Sequence, residues 1–145
     1  MPQFNPDKIT RLISEMRKAI ERLMALRNIE KDIFLNDLDK LGSAKYCFVV
    51  AIESAIDIGN HIISQNGYRA PEDYADTFQV LCEHGVVDKE FVVSLKNMAK
   101  FRNRLIHLYW EVDDEQVYDI LQTRLDDFKT FLNKISVFLN FKDLK

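Results

Sequence analysis

The chain has 145 residues, 47% of them hydrophobic and 30% charged, with a formal net charge of −3 and a pI near 5.6. That length suits one domain whose core needs no disulfides, and four Gly with three Pro leave too few turns for a sandwich of short strands. The acidic balance excludes a protein that coats nucleic acid with a broad basic surface, but it permits a small cationic site.

The first helix follows Asn5-Pro6, a capping residue and a first-turn proline, and Ile9, Leu12, Ile13, Met16, Ile20, Leu23 and Met24 mark its apolar face. A loop with room for a helical turn at "EKDIFLND" leads to the second helix, Leu38 to Ser64. Its "AKYCFVVAIESAIDIGNHII" is apolar nearly all round, which marks a central, buried element. After the loop "NGYRAPED", a third helix spans Pro71 to Glu83, and Gly85 ends it. Asp88 is placed to cap the fourth helix. The fifth starts near "DDEQ" and carries Val117, Ile120, Leu121, Leu125, Phe128, Phe131, Leu132 and Ile135. No segment has a period-2 strand pattern. The expectation is an all-α, up-and-down antiparallel bundle of about five helices, a single domain over 1–145.

Cys47 and Cys82 lie in apolar helical segments without a CxxC, which reads as free thiols. The N-terminus "MPQFNPDKIT" has no apolar signal core, and no run approaches about 18 apolar residues, so a cytoplasmic protein that spans no membrane is expected. "CEH" at 82–84 has too few ligands for zinc, so no metal site is expected. With no Gly-rich phosphate loop and no nucleophile elbow, no cofactor is expected either. His61 reads as a core or interface residue and His84 as a surface or helix-end partner. "FKTFLNKISVFLNFK" reads as bundle or dimer core.

The fourth helix carries the chemistry, in "KNMAKFRNRLIHLYW", residues 96–110. At about 100° per residue, Phe91, Leu95, Met98, Leu105, Ile106 and Tyr109 all fall within about 60° of Arg102. Arg102 therefore sits at the centre of the apolar stripe, and a guanidinium cannot lose its proton to escape burial. His107 lies about 140° away, with Asn103 between them and Lys96 and Lys100 on the histidine's side. The two meet only if the helix loosens near residue 107 or if a second copy of the helix completes the site. An Arg, a His and a Tyr suit a phosphodiester: histidine moves protons near neutral pH, arginine holds phosphate and its developing charge, and tyrosine contacts or stacks on the substrate. RNA brings its own nucleophile, the 2′-hydroxyl.

A structural reading competes. Glu53, Asp57, Asn60 and Ser64 form a polar stripe on the second helix, and Glu53 or Asp57 can pair with Arg102. The same pairing would orient an active-site arginine, so it does not separate the two readings.

"RNRLIHLYW" resembles the Arg-x4-His-x-Tyr signature of the HepT-like branch of the HEPN superfamily, at Arg102, His107 and Tyr109. Asn103 matches the polar residue usual after the arginine. "AIESAIDIGNHII" resembles the second-helix pattern of that branch, with Glu53, Asp57 and Asn60 at matching places, and the acidic start of the last helix, "YWEVDDEQVYDIL", fits too. The resemblance implies a homodimer whose signature helices line a shared cleft. It also implies a metal-independent endoribonuclease toxin paired with a nucleotidyltransferase antitoxin that adds AMP to the signature tyrosine, here Tyr109. On that basis Arg102 and His107 are the catalytic candidates, and Asn103, Glu53 and Asp57 are supporting residues. The alternatives are a non-catalytic nucleotide-binding or docking subunit of a two-component nucleotidyltransferase, and a helical oligomerisation domain with no ligand.

Overall fold

The computed structural model describes residues 1–141. Lys142, the last residue of the amphipathic C-terminal segment, and the end of the expected 1–145 domain lie outside them. Among the described residues there are helices and no strands. The order is α1 (Pro6–Arg27), α2 (Lys31–Leu35), α3 (Leu38–Gln65), α4 (Tyr74–Glu83), α5 (Phe91–His107), a 3-10 turn (Tyr109–Glu111), α6 (Asp114–Thr123) and α7 (Leu125–Leu139).

Local chemistry sets most of the boundaries. Asn5 caps α1 by accepting from the amides of Asp7 and Lys8, with Pro6 in the first turn. Asp37 accepts from Asp39 and Lys40 at the start of α3. Asp88 Oδ1 accepts from the Phe91 amide at 2.6 Å, the capping role read for it in the sequence. Gly85 follows α4 with φ +78°, a left-handed conformation that glycine adopts without a Cβ penalty. The segment expected to form one final helix is two, because the helical path breaks at Arg124 (φ −118°, ψ 0°). Just before the break, the Thr123 hydroxyl donates to the Asp119 carbonyl at 2.7 Å, a back-bond that competes with helix continuation.

α3 is the centre of the bundle, with fourteen buried residues from Leu41 to Ile63. It alone among the described helices has the length and apolarity of a membrane span, but 67% of that apolar window is buried inside the protein, which makes it a core helix. α1 runs antiparallel to it, since the amides of Gln3 and Asn5 reach Asn66 and His61 at the far end of α3. α5 is antiparallel to α3 as well: Phe48 meets Phe101 edge-on at 5.4 Å, and Lys45 pairs with Asp114, just past the end of α5, at 2.9 Å. α7 closes the core through the edge-on pair of Phe78 and Phe131. Burying such aromatics contributes roughly 1.5–3 kcal/mol each.

α4 approaches α3 closely at Gly59, where an added Cβ would lie 2.8 Å from the Thr77 methyl and 3.1 Å from Leu81. The Thr77 hydroxyl donates to Asn60 Oδ1 at 2.9 Å across this crossing. The crossing fixes the start of α4, where Tyr74 stands one turn before Thr77.

Candidate active site

Arg102 is 8% exposed and sits in the stripe with Leu95, Met98 and Leu105, all buried. Its partner is Glu53 of α3: Arg102 Nε and NH2 both donate to Glu53 Oε1, at 3.0 and 2.6 Å. Arg102 NH1 donates to Asn103 Oδ1 at 3.1 Å. The guanidinium carbon lies 4.8 Å from the centre of the Tyr74 ring, a cation–π contact. This answers how an arginine is tolerated at a burying position: a carboxylate, an amide and an aromatic face replace its water. The pairing uses one oxygen of Glu53, whose side chain is 41% exposed, so the pair opens to solvent on that side. Both terminal nitrogens retain a hydrogen for a further acceptor.

Asp57, the other acid of the stripe, faces solvent and does not pair with Arg102. Partial desolvation, and then the negative charge of Glu53 one turn away, raise its carboxyl above the usual range, with Lys8 opposing. The third polar member, Asn60, serves the α3–α4 crossing.

His107 is the last residue of α5 and is exposed. Its ring forms no hydrogen bond or ion pair with any described residue. The helix ends there because Leu108 adopts φ −132°, ψ 40°, and the chain continues into the 3-10 turn. Tyr109 therefore leaves the face that an ideal helix would have given it. It stands 69% exposed beside Trp110, 67% exposed, with the rings edge-on at 5.3 Å. Ile106 and Leu108 are also exposed, at 42% and 37%. One protomer thus assembles Arg102, Asn103 and Glu53, and leaves His107 and Tyr109 on an open, largely apolar rim.

Sequence reasoning missed Tyr74. Its position at the start of α4 carries no motif, and only the close α3–α4 crossing brings it over Arg102. Three other titratable residues have structural roles. His61 is 7% exposed, and its Nε2 accepts from the Asn5 amide at 2.9 Å, which requires a neutral ring. Burial, helped by Lys8, lowers its proton affinity below the ordinary histidine value. His84 stacks on Tyr68 at 3.5 Å. Arg69 forks between Asp76 and Glu83 with four bonds of 2.8–2.9 Å and holds the Asp76 carboxyl down to about 2. Cys47 and Cys82 are free thiols.

A helical bundle that buries an arginine against a partly exposed glutamate, and presents a histidine and a tyrosine at the end of the same helix, defines an all-α protein with the site layout that the sequence resemblance implied. Comparison with known proteins gives the family: residues 16–135 match the Ribonuclease HepT-like family, and the chain belongs to it. The chain is 28% identical over 133 residues to the mRNA nuclease HepT of Shewanella oneidensis, covering 89% of this chain and 96% of that one. It is 22% identical over 141 residues to the tRNA nuclease HepT of Aphanizomenon flos-aquae, covering 96% and 95%. Among solved structures, it resembles the tri-AMPylated HEPN toxin of Shewanella oneidensis in complex with its MNT antitoxin. The TM-score is 0.84 and the identity 27%, over 90% of this chain and 98% of that chain.

Proposed function

We propose that the chain, as one helical domain over 1–145, is the endoribonuclease toxin of a toxin–antitoxin pair. It acts as a cytoplasmic homodimer on RNA and is neutralised by a nucleotidyltransferase antitoxin. The observation that carries this reading is the Arg102 guanidinium, held in a buried position by Glu53 and Asn103 yet keeping donors on both terminal nitrogens. Membership of the ribonuclease family and the likeness to a toxin bound to its antitoxin support it.

In the proposed reaction the 2′-hydroxyl of RNA attacks the adjacent phosphorus and the 5′-oxygen leaves, which yields a 2′,3′-cyclic phosphate and a 5′-hydroxyl. His107 takes the hydroxyl proton or delivers one to the leaving oxygen, and no metal is required. Arg102 stabilises the charge gathering on the phosphoryl oxygens. Glu53 and Asn103 orient it, and Asp57 adds a carboxylate beside the site. The rim of Ile106, Leu108, Tyr109 and Trp110 supports a dimer in which a second copy faces His107 and closes the cleft. Tyr109, 69% exposed, is the proposed AMP acceptor.

The burial of Arg102 against Glu53 favours a second reading, a non-catalytic docking subunit in which the pair only holds the bundle together. The two differ in cells. The toxin reading expects expression of the wild-type chain to arrest growth, and expects His107→Ala, or co-expression of the nucleotidyltransferase, to relieve the arrest. The docking reading expects His107→Ala to change neither growth nor stability, while Arg102→Ala lowers the melting temperature.

A further inference from the structure

α5 carries Lys96, Lys100, Arg102 and Arg104 and no carboxylate, in a chain whose net charge is −3. Arg102 turns inward to Glu53, and the Lys96 amine is engaged by Gln79 of α4. Lys100 and Arg104 precede His107 by seven and three positions, so the three share one ridge of the helix. On that side α5, α6 and α7 enclose a groove of about 490 Å³, lined by Lys100, Arg104 and Arg124 with Asn97, Gln116 and Asp127. This volume falls within the range of ligand sites, roughly 300–1,000 Å³.

Two polar atoms among its lining residues are buried without a hydrogen-bond partner, Arg104 Nε and Asp127 Oδ2. Buried polar atoms of this kind are rare in native structures, and each calls for a cause. Arg124 approaches Asp127 at only 3.9 Å. Three cations against one carboxylate leave the groove positive, and Asn97 and Gln116 add neutral donors and acceptors.

We propose that this groove is a phosphate-binding track for single-stranded RNA, in which Lys100, Arg104 and Arg124 hold the backbone of the strand leading away from the scissile bond at His107. Its continuity with the His107 ridge favours nucleic acid over an acidic protein segment. The proposal rests on the ribonuclease reading above and adds a subsite to it, on the side of α5 facing away from the Arg102–Glu53 pair. Asp127 acts as a brake, because its carboxylate repels the same phosphates and partly neutralises Arg124.

The test uses the full chain with His107→Ala, so that RNA stays intact, and a labelled single-stranded RNA of about a dozen nucleotides, followed by fluorescence anisotropy across a salt series. Lys100 and Arg124 are exposed, so Lys100→Gln with Arg124→Gln leaves the fold in place. Losing two phosphate contacts weakens binding about tenfold or more at low salt and reduces the slope of log K against log salt by about 1.4. Asp127→Asn tightens binding about two- to threefold. Unchanged affinity and slope in the double variant, alongside RNA cleavage by the wild-type chain, overturns the groove and leaves the ribonuclease reading standing. Lost affinity for the antitoxin with RNA binding intact also overturns it, by making the groove a protein-docking surface. A His107→Ala chain that does not bind RNA, together with a wild-type chain that does not cleave it, refutes both.

Discussion

At the level of single residues, the arginine that interrupts an apolar stripe is the most informative position in the chain. Its burial follows from helical periodicity alone, and so does its need for an acid, but periodicity offers two acids on α3. Only the packed structure chooses Glu53, because Asp57 is turned to solvent one turn further on. Glu53→Ala is expected to cost about 1–3 kcal/mol by leaving Arg102 without its carboxylate, at the lower end since Glu53 is partly exposed. Glu53→Gln, which keeps the accepting oxygen, should cost less; urea titration compares the two. His61 gives a pH signature. Its folded proton affinity lies below the ordinary value of 6.5, so between the two values the unfolded chain binds more protons and stability rises with pH. The contribution is present above about 6.5 and is lost as pH falls through the lower folded value, when charging the ring breaks the bond from the Asn5 amide. Melting temperatures between pH 7.5 and 5 should fall in the wild type, and His61→Gln should remove that part of the slope.

At the level of elements, the caps at Asn5 and Asp88, the glycine stop at Gly85 and the central place of α3 were legible in the sequence, because each depends on local chemistry or on periodicity within one helix. Two features were not. The break at Arg124 lies inside an unbroken apolar pattern, since Leu121 and Leu125 keep helical spacing across it. The end of α5 at His107 depends on the Leu108 backbone, and it moves Tyr109 out of the register that an ideal helix assigns. Tyr74 was invisible for a third reason: its contact with Arg102 depends on how closely α4 approaches α3. Gly59→Ala tests that link. A methyl 2.8 Å from the Thr77 methyl and 3.1 Å from Leu81 forces these side chains, and the α4 helix that carries them, to give, at a cost of about 1–3 kcal/mol. The shift moves Tyr74 off Arg102, so cleavage should fall by more than the stability loss explains. Equal activity per folded molecule would contradict the link between the crossing and the arginine.

At the level of the whole molecule, the site is built in two pieces. The bundle interior fixes Arg102 rigidly, while His107 and Tyr109 stand at an open end surrounded by exposed apolar side chains. In the proposed dimer a second copy would face this rim, bury it and bring a second histidine to the cleft. Trp110→Glu is therefore expected to shift the protein toward monomer in light scattering and to reduce RNA cleavage with it, while the helical content by circular dichroism stays constant. Cleavage of RNA through the 2′-hydroxyl, with His107 moving the proton, leaves its signature in the termini. The most direct measurement incubates the purified protein with RNA in EDTA and identifies the termini produced. The wild-type chain is expected to leave 2′,3′-cyclic phosphate ends, and His107→Ala to lose about 100-fold or more in rate. Equal cleavage by the two proteins, or no cleavage by the wild type, would contradict this mechanism.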